Sequence, residues 1–151
     1  MDYAFNLLRQ TRKNISDLIK GLAPDQVQKQ PQGFSNHILW NAGHVLASQQ
    51  LLTYGLAKLP IRIDQTLVDT FRKGTFPGPP VGPEEVDRLL GLLLESPDWL
   101  EEDYRAGLFQ SISPYTSSYG IRLGTPEEAI QFNNVHEGLH LGYMMAIRKA
   151  L

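Results

Sequence analysis

Cysteine is absent from the 151 residues. That excludes disulfides, thiolate metal sites and a cysteine nucleophile, so any zinc or nickel must be held by histidine or oxygen. A cysteine-free chain is also compatible with a reducing cytoplasm, the expected location. Long apolar runs are missing as well. No stretch approaches ~20 apolar residues, so no membrane span is expected. The first residues, MDYAFNLLRQ, carry acid and polar groups where a secretory leader needs a basic start and an apolar run. An excess of positive charge is also lacking. With 14 Lys and Arg against 16 Asp and Glu, the net charge is −2, and no general nucleic-acid surface is expected. Arg9, Arg12, Lys13 and Lys20 make the first helix locally basic, which reads as a solvated helix face. There is no internal repeat, no low-complexity run and no strong alternating strand pattern. What remains is a chain with 42% hydrophobic and 20% charged residues, long enough for one domain, 1–151, with a real core.

The periodicity predicts four helices. The first covers 2–20, with Ala4, Leu8, Ile15, Leu18, Ile19 and Leu22 on one side and Arg9, Lys13 and Asp17 outside. A connector over 22–34 has room for one short turn from Pro24. The second helix covers 36–58, entered through Ser35 as N-cap, and contains no Asp or Glu. Gly43 sits inside it at a cost of about 1 kcal/mol against Ala. Such a glycine admits a ligand or a closely packed neighbour. Residues 59–82 are a long connection rich in Gly and Pro, serving either as a crossover along the fold or as an active-site lid. The third helix covers 83–105, starting at Pro83 and kinked at Ser96-Pro97. A second long loop, 107–124, contains SISPYTSSYG. The fourth helix is the best marked. Thr125 and Glu128 make a capping box, Pro126 takes the first position, and the helix runs to about Arg148.

Chemistry concentrates in the fourth helix. His136 and His140 lie four residues apart, so they project from one face, about 6 Å apart along the axis, and can share one metal ion. The bland account is two ordinary polar residues on a helix face. His44 weighs against it, because a neighbouring second helix brings His44 within reach of the pair across ~8–10 Å between axes. Three imidazoles with an open position describe a catalytic site, and neutral imidazole suits zinc, nickel, iron or copper. His37 is too far along its helix to be an easy fourth ligand and reads as a cap or surface residue. Asn133 and Tyr143 each lie about 40° from the mean direction of the pair, and Asn41 is one turn before His44. These, with Glu137, are candidate substrate-pocket residues. Packing and surface exposure are the plainer accounts of each.

Other motif readings compete. His136-Glu137-Gly138-Leu139-His140 fits the zinc-protease pattern, in which the glutamate is the general base. Residues 141–151 hold no Asp, Glu or His to serve as the further ligand. Glu137 points about 80° from the histidine pair on an ideal helix and reads as a bystander at the helix surface rather than as a base. A di-iron bundle needs two Glu-x-x-His motifs, and Asn41 stands where the second glutamate would be. A Ser-His-Asp hydrolase needs a nucleophile elbow, and no G-x-S-x-G occurs.

HILWNAGH in the second helix, FRKGTFPGP in the loop leading to a new helix, and VHEGLHLG in the fourth resemble, in order and spacing, the DinB-like (DinB/YfiT) superfamily of metalloenzymes. The likeness spans nearly the whole chain. It implies an all-α four-helix bundle in up-down-down-up order. It also implies a divalent transition metal (zinc or nickel ahead of iron) on His44, His136 and His140, and a homodimer. Characterised members of that superfamily include S-transferases and isomerases that use low-molecular-weight thiols. The expectation is therefore a metal-dependent enzyme acting on a small molecule, with thiol transfer ahead of hydrolysis. The alternative is a non-catalytic stress or interaction module whose metal clamps two helices. No thiol-binding motif stands out, so the substrate stays open. Neither nucleic acid nor membrane is an expected partner.

Overall fold

Helix makes up nearly all the regular structure of the computed structural model, which describes residues 1–151. The helices are α1 (Asp2–Lys20), α2 (Pro24–Val27), α3 (Ile38–Gln50), α4 (Gln65–Phe71), α5 (Pro83–Arg105) and α6 (Pro126–Lys149). A two-stranded hairpin pairs β1 (Tyr115–Thr116) with β2 (Arg122–Leu123). The all-α expectation holds.

Burial follows composition. Without Asp or Glu, α3 has no charged face to offer water, and it buries every residue but Ser48. It continues into a π-helical turn at Leu51–Gly55. Contacts with α5 and α6 enclose it on two sides and α4 covers a third. The main core joins Ile15, Leu18 and Ile19 of α1 to Val45 and Leu46 of α3, Leu89 and Leu93 of α5, and Met144 and Ile147 of α6. Charged pairs fix the directions of neighbours. Asp2 meets Arg105 at 2.6 Å and Arg9 meets Asp98 at 2.6 Å, so α1 and α5 run opposite ways. Asn134 donates to the Ala4 carbonyl at 2.9 Å, and Arg12 meets Glu137, so α1 and α6 run the same way.

Several expectations need correction. Ser35 is not the cap of the second long helix. His37 is, its Nδ1 accepting the Trp40 N–H at 3.0 Å, and the helix starts at Ile38. An imidazole nitrogen here does what a Ser or Asp oxygen usually does. The 59–82 connection is not bare loop, since α4 lies within it. A Cβ at Gly43 would stand 2.5 Å from the Phe71 ring, so glycine there admits α4 against α3. The 107–124 loop contains the small hairpin, too short to show a strand period. Arg12 is not on a solvated face. It has no exposed surface at all. Other expectations match. α5 passes through Pro97 as one helix. In the capping box of α6, Thr125 Oγ1 accepts from Glu128 N at 3.2 Å and Glu128 Oε2 accepts from Thr125 N at 3.2 Å.

Candidate metal centre

Three imidazoles converge where α3 crosses α6. His44, His136 and His140 each offer one ring nitrogen, and these atoms lie within 4.8 Å of one another. The ring centroids are 4.5 to 5.2 Å apart. His44 is 6% exposed and also stacks on Trp40 at 4.8 Å with planes 9° apart.

Hydrogen bonds select the tautomers of two rings. His44 Nδ1 lies 2.7 Å from the Phe71 carbonyl. A carbonyl only accepts, so Nδ1 carries the proton and Nε2 keeps its lone pair. Ser48 Oγ sits 3.3 Å from that Nε2 and donates to it. His140 Nδ1 lies 2.8 Å from Asn41 Oδ1. The Asn41 amide is fixed in its turn, because its Nδ2 donates to Asn36 Oδ1 at 2.6 Å and to the His37 carbonyl at 2.9 Å. His140 therefore also donates from Nδ1 and keeps the Nε2 lone pair. Metal-binding histidines show this arrangement, the distal N–H held by a carbonyl and the other nitrogen unprotonated. His136 differs, since its Nδ1 is buried without a partner.

The electrostatics keep these rings neutral. Burial pushes the His136 imidazole down to about 4, helped by His44 and by the Arg12 guanidinium. Burial, then His136 and His44, push His140 down to about 3. Burial lowers His44 too, opposed by its bond to Phe71. Three neutral imidazoles at pH 7 are a donor set that fits zinc, nickel or iron.

A cleft of about 400 Å³ opens on His44 and His136. Leu51, Leu52, Leu56 and Phe132 supply its apolar wall, and Ser48, Tyr115, Ser118 and Lys73 its polar one. The π-helical turn contributes much of the apolar side, as such turns often do beside functional sites.

None of Asn41, Asn133, Glu137 and Tyr143 borders this cleft. Asn41 orients His140. Tyr143 packs its ring on Phe34 at 5.5 Å. Glu137 is neither at the helix surface nor beside the cleft. It is fully buried and faces α1, where Arg12 Nε donates to its Oε2 at 2.6 Å and Arg12 Nη2 to its Oε1 at 2.7 Å. Asn133 is buried with it and donates to Oε1 at 2.7 Å. Arg12 Nη2 also reaches Gln49 Oε1 at 3.0 Å and the Val45 carbonyl at 3.2 Å, tying α1, α3 and α6 together behind the histidines. The sequence reading missed Arg12, although a signal existed. Leu8, Arg12, Ile15 and Ile19 share one helical register, so a cation stood in the apolar stripe of α1. The Phe71 carbonyl and Lys73 were missed as well, and neither leaves a pattern in sequence.

A search of the curated proteins returned no match. The sequence model of the DinB superfamily matches residues 7–144, which takes in all three histidines and most of every long helix. With that match and this three-histidine cluster, which fits a metal-binding protein, the chain belongs to the DinB superfamily.

Proposed function

We propose that this chain is a metal-dependent enzyme that holds a divalent ion on His44, His136 and His140 and transfers a small thiol to or from a small molecule. The observation that carries the reading is the opening of the histidine cluster onto a cleft through His44 and His136. An ion that only clamped helices would need no such opening. The ion would supply Lewis acidity, lowering the proton affinity of a thiol or of water. The protein's own groups supply the rest. Phe71 and Asn41 hold two imidazoles with Nε2 unprotonated, and an ion on His44 would take the place of the Ser48 hydroxyl there. Leu51, Leu52, Leu56 and Phe132 exclude water from one wall of the cleft, where charge interactions then strengthen. With the histidines neutral, Lys73 is the one charged side chain on its lining, and it favours anionic groups there.

The four long helices fit the up-down-down-up bundle within this reading. Asn41 and His44 of α3 meet His140 and His136 of α6 in reverse order, as opposed helices do. A cytoplasmic homodimer is part of the same proposal. Tyr3 and Leu7 of α1 and Val135 and Leu139 of α6 leave large apolar side chains exposed, which supports a covered face in solution.

The test begins with protein purified without a histidine tag. Each of His44→Ala, His136→Ala and His140→Ala should lose most bound zinc or nickel, while His37→Ala keeps it. Cobalt-loaded protein should then show a thiolate absorption band when a small thiol is added. Full metal content in the His44 variant, or no spectral response to any thiol, would overturn the respective half of the proposal.

A further inference from the structure

Behind Trp40 and Phe71 lies a second cavity of about 380 Å³, lined by none of the three clustered histidines. Leu39 and Trp40 of α3, Leu67 and Phe71 of α4 and Leu89 of α5 give it apolar walls. The segment Pro77–Val81 closes another side. Gln28 straps that segment down, its Nε2 donating to the Val81 carbonyl at 2.9 Å and its Oε1 accepting the Val81 N–H at 2.7 Å.

His37 is the polar group that marks this cavity. The residue is 8% exposed and lines the cavity wall. Its Nδ1 accepts from Trp40 N, so the neutral ring carries its proton on Nε2. Nε2 makes no hydrogen bond within the protein. The edge of the ring not spent on the helix cap therefore carries one free N–H donor on the wall of the cavity. The charges at the mouth cancel locally. Arg88 bonds Glu85 at 2.9 Å and also pairs with Asp64. A charged ligand finds no free counter-ion among these groups.

We propose that this cavity is a second binding site, for an uncharged, flat, mostly apolar molecule with one carbonyl that accepts from His37 Nε2–H. Size agrees with shape here, because small-ligand pockets span roughly 300–1,000 Å³ and are apolar with few placed polar groups. The site shares two residues with the metal centre. Trp40 stacks on His44, and the Phe71 carbonyl holds the His44 ring. A ligand against Trp40 and Phe71 therefore touches what positions His44.

The probe is the neutral fluorophore 6-propionyl-2-(dimethylamino)naphthalene, a flat bicycle with one carbonyl, titrated into the full-length protein. The expected result is saturable binding with blue-shifted emission. Thr70→Trp, at the exposed edge of the cavity, should weaken binding at least about tenfold by filling it. His37→Asn should weaken it about fivefold to tenfold, near the worth of one hydrogen bond, while keeping the unfolding temperature, because asparagine also caps helices well. Ser118→Trp, which obstructs the cleft at the metal centre, should leave the affinity unchanged. Absence of saturable binding, full affinity in Thr70→Trp, or loss in Ser118→Trp would overturn the site. Full affinity in His37→Asn would overturn the ligand class. None of these readouts needs a metal or a catalysed reaction, so they stand apart from the proposed activity.

Discussion

The Glu137 carboxylate has no exposed surface, and what compensates its buried charge is Arg12 on one side and Asn133 on the other. Both partners of the ion pair have no exposed surface. Removing one charge from such a pair leaves the other stranded in a low dielectric, which typically costs about 3–5 kcal/mol. Glu137→Gln should therefore lower the urea midpoint steeply. Replacing both partners with apolar residues, Arg12→Met with Glu137→Leu, should recover most of that loss, because the pair's desolvation cost goes with it. A Glu137→Gln protein within about 1 kcal/mol of the parent would refute this account. The same geometry bears on the protease-like motif. A general base must reach the water it activates, and this carboxylate is committed to α1. Any loss of activity in Glu137→Gln should then track loss of folded protein, with zinc content per folded molecule preserved.

At the scale of elements, α4 acts as a splint. Gly43 lets the Phe71 ring lie against α3, and the Phe71 carbonyl then meets His44 Nδ1 at 2.7 Å. Gly43→Ala puts a methyl group into that ring, so α4 must shift and the carbonyl with it. Partners that orient metal ligands are typically worth about 10–100-fold in metal affinity. Gly43→Ala should cost zinc affinity in that range with all three histidines intact, and Asn41→Ala should do the same through His140. Zinc titration against a competing chelator measures both, and unchanged affinity in both variants would dismiss the splint. What the sequence made legible follows from how far each feature's cause lies along the chain. The long helices, the capping box at Thr125 and the pairing of His136 with His140 are written within a few residues. His44 was reachable because a second apolar helix had to pack somewhere. α4 was not, since QTLVDTF has seven residues, hardly two turns, and is held by a contact with Gly43 more than twenty positions away. His37 was legible as a cap or surface residue, but Ser35 was preferred as the N-cap because imidazole is outside the usual cap set, and the depth of Glu137 was missed because its partner Arg12 resembled an ordinary surface cation.

For the molecule as a whole, packing four long helices around a cluster of imidazoles makes stability depend on acid. His136 and His140 titrate near 4 and near 3 in the fold, and His44 and His37 are lowered as well, all by burial first. In the unfolded chain each titrates near 6.5. Below that value the unfolded state binds more protons than the folded state, so protons favour unfolding. The sign is that of groups with a depressed folded pKa. Their contribution is intact above about 6.5 and is lost as pH falls through the interval down to about 4 and then 3. Each proton taken up only on unfolding gives a slope of about 1.4 kcal/mol per pH unit. Ordinary carboxylates titrate near ~4, so the interval from pH 6.5 to 5 belongs mainly to the histidines. Metal-free protein should lose unfolding temperature steadily across it. Saturating zinc should move the loss to lower pH, because an occupied imidazole resists protonation. Replacing His136 and His140 together with asparagine should flatten the slope by nearly two protons. Thermal unfolding at pH 7, 6 and 5, with and without zinc, measures all three effects. A metal-free protein equally stable at pH 7 and pH 5 would contradict the burial of the cluster, and an unchanged slope in the double variant would assign the protons elsewhere.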